Sequence, residues 1–232
     1  MKILFINACV RKESRTLLLA NELLSGLRGE IIEVFLPSLN LKPLDEKMIY
    51  DRMIDSDYQV YARQFQEADT IVIAAPLWDL SFPSILKVYI ENICINGITF
   101  KYGENGPIGL CKAKRLLYVS TSGGVNYPDF GFNYIKALSN MMFGIKDVIR
   151  FSAEGLDVWE NNVEQILEKT IEEIEEYIDT ENVYDKAGSY AIQGIFAKYI
   201  DKFVGEYHNV VGLPIERLKK EAENETIFRF FR

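Results

Sequence analysis

Residues 8–16 combine side chains that suit the binding of an anion. Ser14 and Thr16 supply hydroxyl groups, and Arg11 and Arg15 supply guanidinium groups. Together with the free N–H groups at the start of a helix, such side chains bind phosphate. The segment contains no glycine, so it is neither a P-loop nor a dinucleotide-binding fingerprint, and it suits a terminal monophosphate. The alternative is that Ser14 or Thr16 only caps the following helix.

A second candidate segment follows the apolar run at residues 71–75. This run, Ile-Val-Ile-Ala-Ala, does not alternate with polar residues, which is typical of a parallel strand buried on both faces. Pro76 cannot donate to a β-ladder and ends the strand. Residues 76–83 then supply backbone polar groups and Trp78. The Trp78 ring could lie against a flat aromatic cofactor, or it could be a packing anchor.

The third segment is Thr121-Ser122-Gly123-Gly124, which ends another predicted strand. Two adjacent glycines allow a backbone to approach a ligand closely, although a double glycine after a strand is also a common turn. In open parallel sheets, ligands bind beyond the carboxyl ends of the strands. We therefore expect the three segments to converge on one ligand-binding crevice.

The cysteines, Cys9, Cys94 and Cys111, have neither Cys-x-x-Cys spacing nor an even count, so we interpret them as free thiols. Cys9 directly follows the first predicted strand. Arg11 and a helix N-terminus would favour its thiolate, so Cys9 is also a candidate ligand-binding residue. No metal site and no catalytic side chain are predicted.

Composition limits the classes of partner. The 232 residues are 48% hydrophobic, and 34 acidic against 26 basic residues give a net charge of −8. This balance argues against nucleic acid and anionic membranes as partners, because both bind basic surfaces. There is no apolar run of roughly 20 residues and no cleavable leader pattern, so the expected location is the cytoplasm.

The hydrophobic pattern predicts alternating strands and helices. Strands are expected at 2–7, 31–35, 70–75, 115–121 and 147–153, and helices near 14–24, 58–68, 84–93, 132–142 and 160–178. Residues 37–55 form a proline-punctuated excursion, and residues 99–110 form a β-excursion. The predicted fold is α/β, a flavodoxin-like, doubly wound, five-stranded parallel sheet over residues 1–178.

The remaining residues, 179–232, differ in character and predict a small α+β appendage. A strand is expected at 196–204 and a short helix at 214–223, with the junction near 179–184.

Several ordered motifs in residues 1–175 resemble one family, the FMN-dependent NADH azoreductases and quinone reductases. These motifs are Ala-Pro-Leu-Trp-Asp-Leu-Ser-Phe-Pro at 75–83, Leu-Lys-Val-Tyr at 86–89, the segment 97–110, Thr-Ser-Gly-Gly at 121–124 and Phe-Ser-Ala-Glu-Gly at 151–155. The resemblance implies a homodimer that binds FMN at the dimer interface. It also implies transfer of two electrons from NAD(P)H to small-molecule acceptors, quinones or azo compounds.

By position, the resemblance assigns the FMN phosphate to residues 14–16, the isoalloxazine ring to residues 77–80 and the other side of the ring to residues 121–124. The full candidate set is Cys9, Arg11, Ser14, Arg15, Thr16, Pro76, Leu77, Trp78, Asp79, Leu80, Thr121, Ser122, Gly123, Gly124 and Tyr127. The hydride chemistry belongs to the flavin, and the protein supplies orientation and electrostatics.

The chain departs from the family pattern at two places. It has Ala8-Cys9 where the family often has a serine, and Trp78-Asp79 where the family has an aromatic residue followed by Asn. A carboxylate at Asp79 near the ring would disfavour an anionic reduced flavin and could lower its potential. The choice between NADH and NADPH stays open.

The tail, about residues 174–218, resembles the carboxyl-terminal part of Maf nucleoside triphosphate pyrophosphatases. The similar segments are 185–194 and 205–214. The Ser-x-x-Arg-Arg loop and acidic metal ligands of that family are not found. A structural use of residues 185–194 is therefore favoured over the alternative, in which Lys186 and Gln193 contact a nucleotide. The sequence thus leaves two alternatives to an oxidoreductase: a pyrophosphatase that uses the tail, and a flavin electron carrier without turnover.

Overall fold

The structure is a computed structural model that describes residues 1–54 and 56–184, of which residues 1–175 form one compact unit. The strands are β1 (Lys2–Asn7), β2 (Glu30–Phe35), β3 (Thr70–Ala74), β4 (Phe100–Gly103), β5 (Gly106–Gly109), β6 (Arg115–Thr121) and β7 (Asp147–Ala153). The helices are α1 (Arg15–Gly26), α2 (Glu46–Ile54), α3 (Ser56–Glu67), α4 (Ser84–Ile93), α5 (Phe130–Leu138) and α6 (Val163–Tyr184). A 3₁₀ turn covers Leu36–Ser38, and a π-helical turn, Ser139–Phe143, extends α5.

Within the described residues, five strands form one parallel sheet in the order β2-β1-β3-β6-β7. Strand β4 pairs with β5 in a separate antiparallel hairpin. This order places β1 beside β3, although α1, β2, α2 and α3 separate them in the chain. It is the flavodoxin-like order, and its switch point lies between β1 and β3. The predicted fold class of the first domain is therefore confirmed.

Helices cover both faces of the sheet. On one face, Leu4, Ile6 and Ile73 pack with Phe65 of α3 and Leu86 of α4. On the other face, α1 contacts β3 and β6. Every residue of β3 is buried, which is why its sequence does not alternate. The buried residues of α1 recur at helical spacing, at Thr16, Leu19, Ala20, Leu23 and Leu24.

Capping side chains explain where the helices differ from the sequence prediction. Helix α2 lies inside the excursion predicted at 37–55 and begins after Asp45, whose Oδ1 accepts a hydrogen bond from Met48 N at 2.8 Å. Helix α5 begins two residues early because the Asp129 carboxylate caps it. Helix α6 begins three residues late, after Asn162, whose side chain accepts from Gln165 N.

Helix α6 continues to Tyr184, so the segment 179–184 predicted as a junction is helical. The predicted strand at 196–204 and helix at 214–223 lie outside the described residues. The boundary predicted at residue 178 and the appendage beyond it stay predictions. Among the helices of residues 1–54 and 56–184, none has both the length and the apolar character that a membrane crossing requires.

Candidate functional site

A cavity of about 340 Å³ opens beyond the carboxyl ends of β1, β3, β6 and β7. Its lining residues are Val10, Arg11, Glu13, Ser14, Arg15, Thr16, Pro76, Leu77, Trp78, Thr121, Ser122, Gly123, Leu156 and Asp157. The three segments expected to converge therefore meet at one place, and the loop after β7 adds a fourth wall.

The first wall is the loop after β1 together with the start of α1. Ser14 is the N-cap of this helix, and its Oγ accepts a hydrogen bond from Leu17 N at 3.3 Å. The Thr16 hydroxyl is buried and lies 2.7 Å from the Thr121 hydroxyl. This hydrogen bond fixes the start of α1 to the end of β6. The first N–H groups of a helix have no intrahelical acceptor, so this end of the cavity is a favourable place for an anion.

Cys9 lies behind this wall rather than in it. The side chain is 2% exposed, and its backbone N–H donates to Asn7 Oδ1 at 3.0 Å. Burial raises the pKa of the Cys9 thiol to about 11, against a smaller lowering by a hydrogen bond with Ser14. The expectation of a favoured thiolate is therefore wrong, because desolvation outweighs the basic and helical surroundings.

The second wall is the loop after β3. Leu77 N donates to Thr121 O at 2.9 Å, which fastens this loop to the end of β6. Trp78 and Ser81 then exchange backbone hydrogen bonds of 2.6 and 2.8 Å around a tight turn. The two central residues of that turn, Asp79 and Leu80, have φ angles of 50° and 66°. The turn leaves the Trp78 side chain partly exposed at the cavity wall.

The third wall is the loop after β6, which pairs with the loop after β7. Ser122 N donates to Ala153 O, Leu156 N to Ser122 O and Asp157 N to Gly123 O, at 2.9–3.1 Å. This ladder of backbone bonds extends the β6–β7 pairing beyond the strands. It brings Leu156 and Asp157 to the cavity.

The paired glycines of this loop make room for side chains of the protein itself. A Cβ on Gly123 would lie 2.5 Å from Asp157 Oδ2, and a Cβ on Gly124 would lie 2.0 Å from the Tyr127 ring. Either contact is too short, so the neighbouring side chain or the loop backbone would have to move. The glycines thus accommodate Asp157 and Tyr127. The close approach of a ligand to this backbone stays a prediction.

Arg150 of β7 holds the third wall from behind. Its Nη2 donates to Ser152 Oγ at 2.8 Å and to Glu154 Oε1 at 3.0 Å, and it lies 3.3 Å from Asp129 Oδ2. Asp129 in turn caps α5 at the end of the same loop. One guanidinium therefore links the strand, the loop after it and the far end of the third wall.

Of the residues predicted from the sequence, ten line the cavity, and five lie beside it. The five are Cys9, Asp79, Leu80, Gly124 and Tyr127. The sequence did not single out Val10, Glu13, Leu156 and Asp157, which also line it. The strand-end argument, applied to the fifth strand of the sheet as well, would have pointed to Leu156 and Asp157.

The cavity fits the group that the sequence resemblance implies. One end carries hydroxyl and guanidinium groups and a helix start, as a phosphate requires, and the other carries Pro76, Leu77 and Trp78, as a flat ring requires. Its size lies within the range of about 300–1,000 Å³ that is usual for ligand sites. Among residues 1–54 and 56–184, no group of three or more His, Cys, Asp or Glu side chains is placed to hold a metal ion.

Comparison with known proteins gives two family matches. A family model described as "Flavodoxin-like fold" matches residues 1–178, and one described as "Maf-like protein" matches residues 156–225. The second match agrees with the resemblance seen in the tail, and the two matches overlap over residues 156–178, which cover the loop after β7 and the first part of α6.

Similar proteins cover the first match almost completely. The chain is 38% identical to "FMN-dependent NADH:quinone oxidoreductase 2" of Clostridium acetobutylicum, over 75% of this chain and 96% of that protein. It is 34% identical to the FMN-dependent NADH:quinone oxidoreductase of Coprothermobacter proteolyticus, with the same coverage. The structure of an FMN-dependent NADH-azoreductase from Bacillus anthracis in complex with FMN superimposes with a TM-score of 0.67 at 27% identity, over 76% of this chain and 97% of that one. The chain therefore belongs to the flavodoxin-like family that includes the FMN-dependent NADH:quinone oxidoreductases.

Proposed function

We propose that this protein is an FMN-dependent oxidoreductase that transfers electrons from NAD(P)H to quinones or azo compounds. The observation that carries the proposal is the cavity at the carboxyl edge of the sheet, which is lined both by hydroxyl and guanidinium groups at the start of α1 and by Pro76, Leu77 and Trp78. Relatives that match over 96% of their length are FMN-dependent NADH:quinone oxidoreductases. Membership of that family supports both the cofactor and the reaction class.

The residues of the chain would divide the work of binding. The start of α1, with Ser14, Arg11 and Arg15, would hold the phosphate, and Thr16 would contribute its backbone N–H because its hydroxyl is bonded to Thr121. Pro76, Leu77 and Trp78 would cover the ring and exclude water from it. Bound FMN supplies the hydride and electron chemistry. The protein orients the ring and sets its electrostatic surroundings.

The absorbance spectrum of the purified protein tests the proposal. The protein, incubated with excess FMN and then desalted, should keep a flavin absorbance band and should oxidise NADH in the steady state when a quinone is added. Absence of flavin binding would refute the proposal. Flavin binding without steady-state turnover would instead identify an electron carrier.

The phosphate end can be tested separately with a matched pair of arginine variants. Arg11 lines the cavity, whereas Arg28 is exposed beyond the other end of α1. Arg11→Gln should weaken FMN binding by up to about fivefold, because an exposed cation near a phosphate contributes up to about 1 kcal/mol. Arg28→Gln should leave the dissociation constant of FMN unchanged. Equal effects of the two variants would contradict the assigned orientation of the ligand.

We also propose that the protein is a homodimer in the cytoplasm. Large apolar side chains are exposed at Leu80, Tyr127 and Trp159, in the loops after β3, β6 and β7, and at Phe130, the first residue of α5. Exposed large apolar side chains are common at interfaces between subunits, and a second copy of the chain would cover these four. The proposed electron donor, NAD(P)H, is supplied inside the cell. Light scattering coupled to size exclusion would test the dimer, since a monomeric mass at micromolar concentration contradicts it.

The match of residues 156–225 to a Maf-like family model favours a second candidate activity, hydrolysis of nucleoside triphosphates to release pyrophosphate. Residues that would take part, Lys186 and Gln193, lie outside the described residues. Metal-dependent release of pyrophosphate that Lys186→Ala abolishes would support this activity. Absence of release would remove it.

A further inference from the structure

The phosphate-binding end of the cavity contains a carboxylate of the protein itself. Asp157 Oδ1 accepts a hydrogen bond from Arg15 Nη1 at 2.9 Å, and the same Nη1 lies 3.2 Å from Leu156 O. Both Arg15 and Asp157 line the cavity. The guanidinium predicted to bind a phosphate is therefore already engaged by an anion.

The position of Asp157 is determined by the backbone. Its N–H donates to Gly123 O at 2.9 Å, and its Oδ2 lies over Gly123, where any Cβ would be only 2.5 Å away. With any other residue at 123, the Asp157 carboxylate would have to shift from this position. The Arg15–Asp157 contact follows from the pairing of two loops and from one residue without a side chain.

The charged side chains around this end of the cavity cancel. Arg11 and Arg15 contribute two positive charges, and Glu13 and Asp157 contribute two negative charges. A phosphate brings a charge of about −1.5 to −2 at neutral pH. The phosphate therefore meets the helix start and the hydroxyl donors, but the charged side chains around it have no net positive charge. To bind Arg15 fully, the phosphate must displace Asp157 from the guanidinium or share the guanidinium with it.

We propose that Asp157 competes with the phosphate of FMN for Arg15 and so determines how tightly this site retains a phosphorylated flavin. The inference rests on the proposed function, because it takes FMN as the ligand of the cavity. Removal of the carboxylate frees Arg15 and removes a like charge beside the phosphate. The consequence is a site that holds FMN exchangeably and discriminates less strongly between FMN and riboflavin than its arginines alone would.

Flavin binding to Asp157→Asn tests this directly. Dissociation constants for FMN and for riboflavin, which lacks the phosphate, are measured by quenching of flavin fluorescence. The matched control is Glu67→Gln, which removes one negative charge from another partly exposed ion pair, with Lys112, at the opposite end of the sheet. Because exposed pairs are weak, Asp157→Asn should tighten FMN by about two- to fivefold. It should leave riboflavin unchanged, and Glu67→Gln should change neither.

A double-mutant cycle isolates the pair. In an Arg15→Leu background, Asp157→Asn should tighten FMN by a smaller factor than in the wild type, because the competition for the guanidinium is gone. The effect of Asp157→Asn should also shrink as salt increases. Asp157→Ala serves as a second variant in case the amide disturbs folding.

Three outcomes would overturn the inference: unchanged or weaker FMN binding by Asp157→Asn and Asp157→Ala, equal tightening of FMN and riboflavin, or an undiminished effect without Arg15. Failure of the wild-type protein to bind either flavin would instead refute the proposed function. The two failures are therefore distinguishable in the same titrations.

Discussion

At the scale of single residues, the turn beside Trp78 carries the most unusual backbone of the site. Asp79 and Leu80 both have left-handed φ angles, in a turn whose flanking residues exchange two hydrogen bonds. This is the geometry of a type I′ turn, which normally contains Asn-Gly. For leucine the left-handed region costs roughly 1–2 kcal/mol, and such strain is concentrated at functional sites. The turn fixes the backbone next to Trp78 at that cost.

Replacing Leu80 by glycine should relieve this strain. Leu80→Gly removes the Cβ clash of the left-handed conformation and loses a side chain that is already 40% exposed, so the free energy of unfolding should rise by up to about 1 kcal/mol. Leu80→Ala is the matched control, because it truncates the same side chain but keeps a Cβ. Urea unfolding of both variants measures the difference. A gain in stability from alanine equal to that from glycine would contradict the role assigned to φ.

Burial of the Cys9 thiol makes stability depend on alkaline pH. Its pKa in the folded protein is raised to about 11, from an ordinary value of 9.0. Between these values the unfolded chain ionises while the folded one does not. Stability is therefore complete below about pH 9 and decreases as the pH rises towards 11.

Cys9→Ala should reduce this pH dependence. Urea unfolding between pH 8 and 10.5 should show a shallower loss of stability in the variant than in the wild type, by up to about 1.4 kcal/mol per pH unit. A residual slope is expected, since burial also raises the pKa of Cys94 to about 11 and of Cys111 to about 12. Identical slopes in the two proteins would contradict the assignment to Cys9.

At the scale of elements, one hydroxyl pair joins α1 to β6. Thr16 and Thr121 are 1% and 9% exposed, and the loop after β3 is fastened to the same end of β6 through Leu77. The walls proposed to bind the phosphate and the ring thus share one support. A change at this point should therefore affect the stability of the fold and the affinity of the cavity together.

Thr16→Val tests this support with a side chain of nearly the same shape. It leaves the buried Thr121 hydroxyl without that partner, which should lower the free energy of unfolding by about 1–3 kcal/mol and weaken FMN binding. Ser25→Ala in the same helix, where the hydroxyl is exposed and donates to Glu22 O, should change stability by less than about 0.5 kcal/mol. If Thr16→Val is as mild as Ser25→Ala, the hydroxyl pair does not hold the two elements together.

The strands were predictable because they are short apolar, β-branched runs, and in β1, β3 and β6 these runs are buried on both faces. The runs at β1, β3, β6 and β7 are bounded within one residue, since Pro76 and the polar ends of the other runs stop them. Helix α2 was missed because prolines at 37 and 43 dominate the segment, although Asp45 is an N-cap signal. The π-helical turn after α5 has no local signature of this kind.

The sequence predicted which loops form the site, but it did not predict the contacts between side chains of different loops. The sequence indicated which loops converge, because the strand order of such sheets determines it. The Arg15–Asp157 contact joins residues far apart in the chain, and the position of Asp157 depends on backbone pairing across two loops. Likewise, burial of Cys9 depends on the whole sheet around it, so local charges alone gave the wrong direction for its pKa.

At the scale of the whole molecule, ligand binding should be visible as stability. At about 100 times its dissociation constant, FMN should raise the free energy of unfolding by about 2.7 kcal/mol, and the melting temperature of the flavin-binding unit by roughly 5–10 °C. Circular dichroism melting curves measure this. Adenosine monophosphate carries the phosphate without the flavin ring and should give no comparable shift, so an equal shift would contradict a flavin site.

The convergence of the four loops also dictates when the site can exist. Its walls come from residues 10–16, 76–78, 121–123 and 156–157, and each loop is placed by a parallel pairing that a local hairpin cannot form. No early fragment of the nascent chain contains the cavity. During synthesis, the ribosome must release the chain through residue 157 before any flavin can be captured, so cofactor loading follows completion of the sheet.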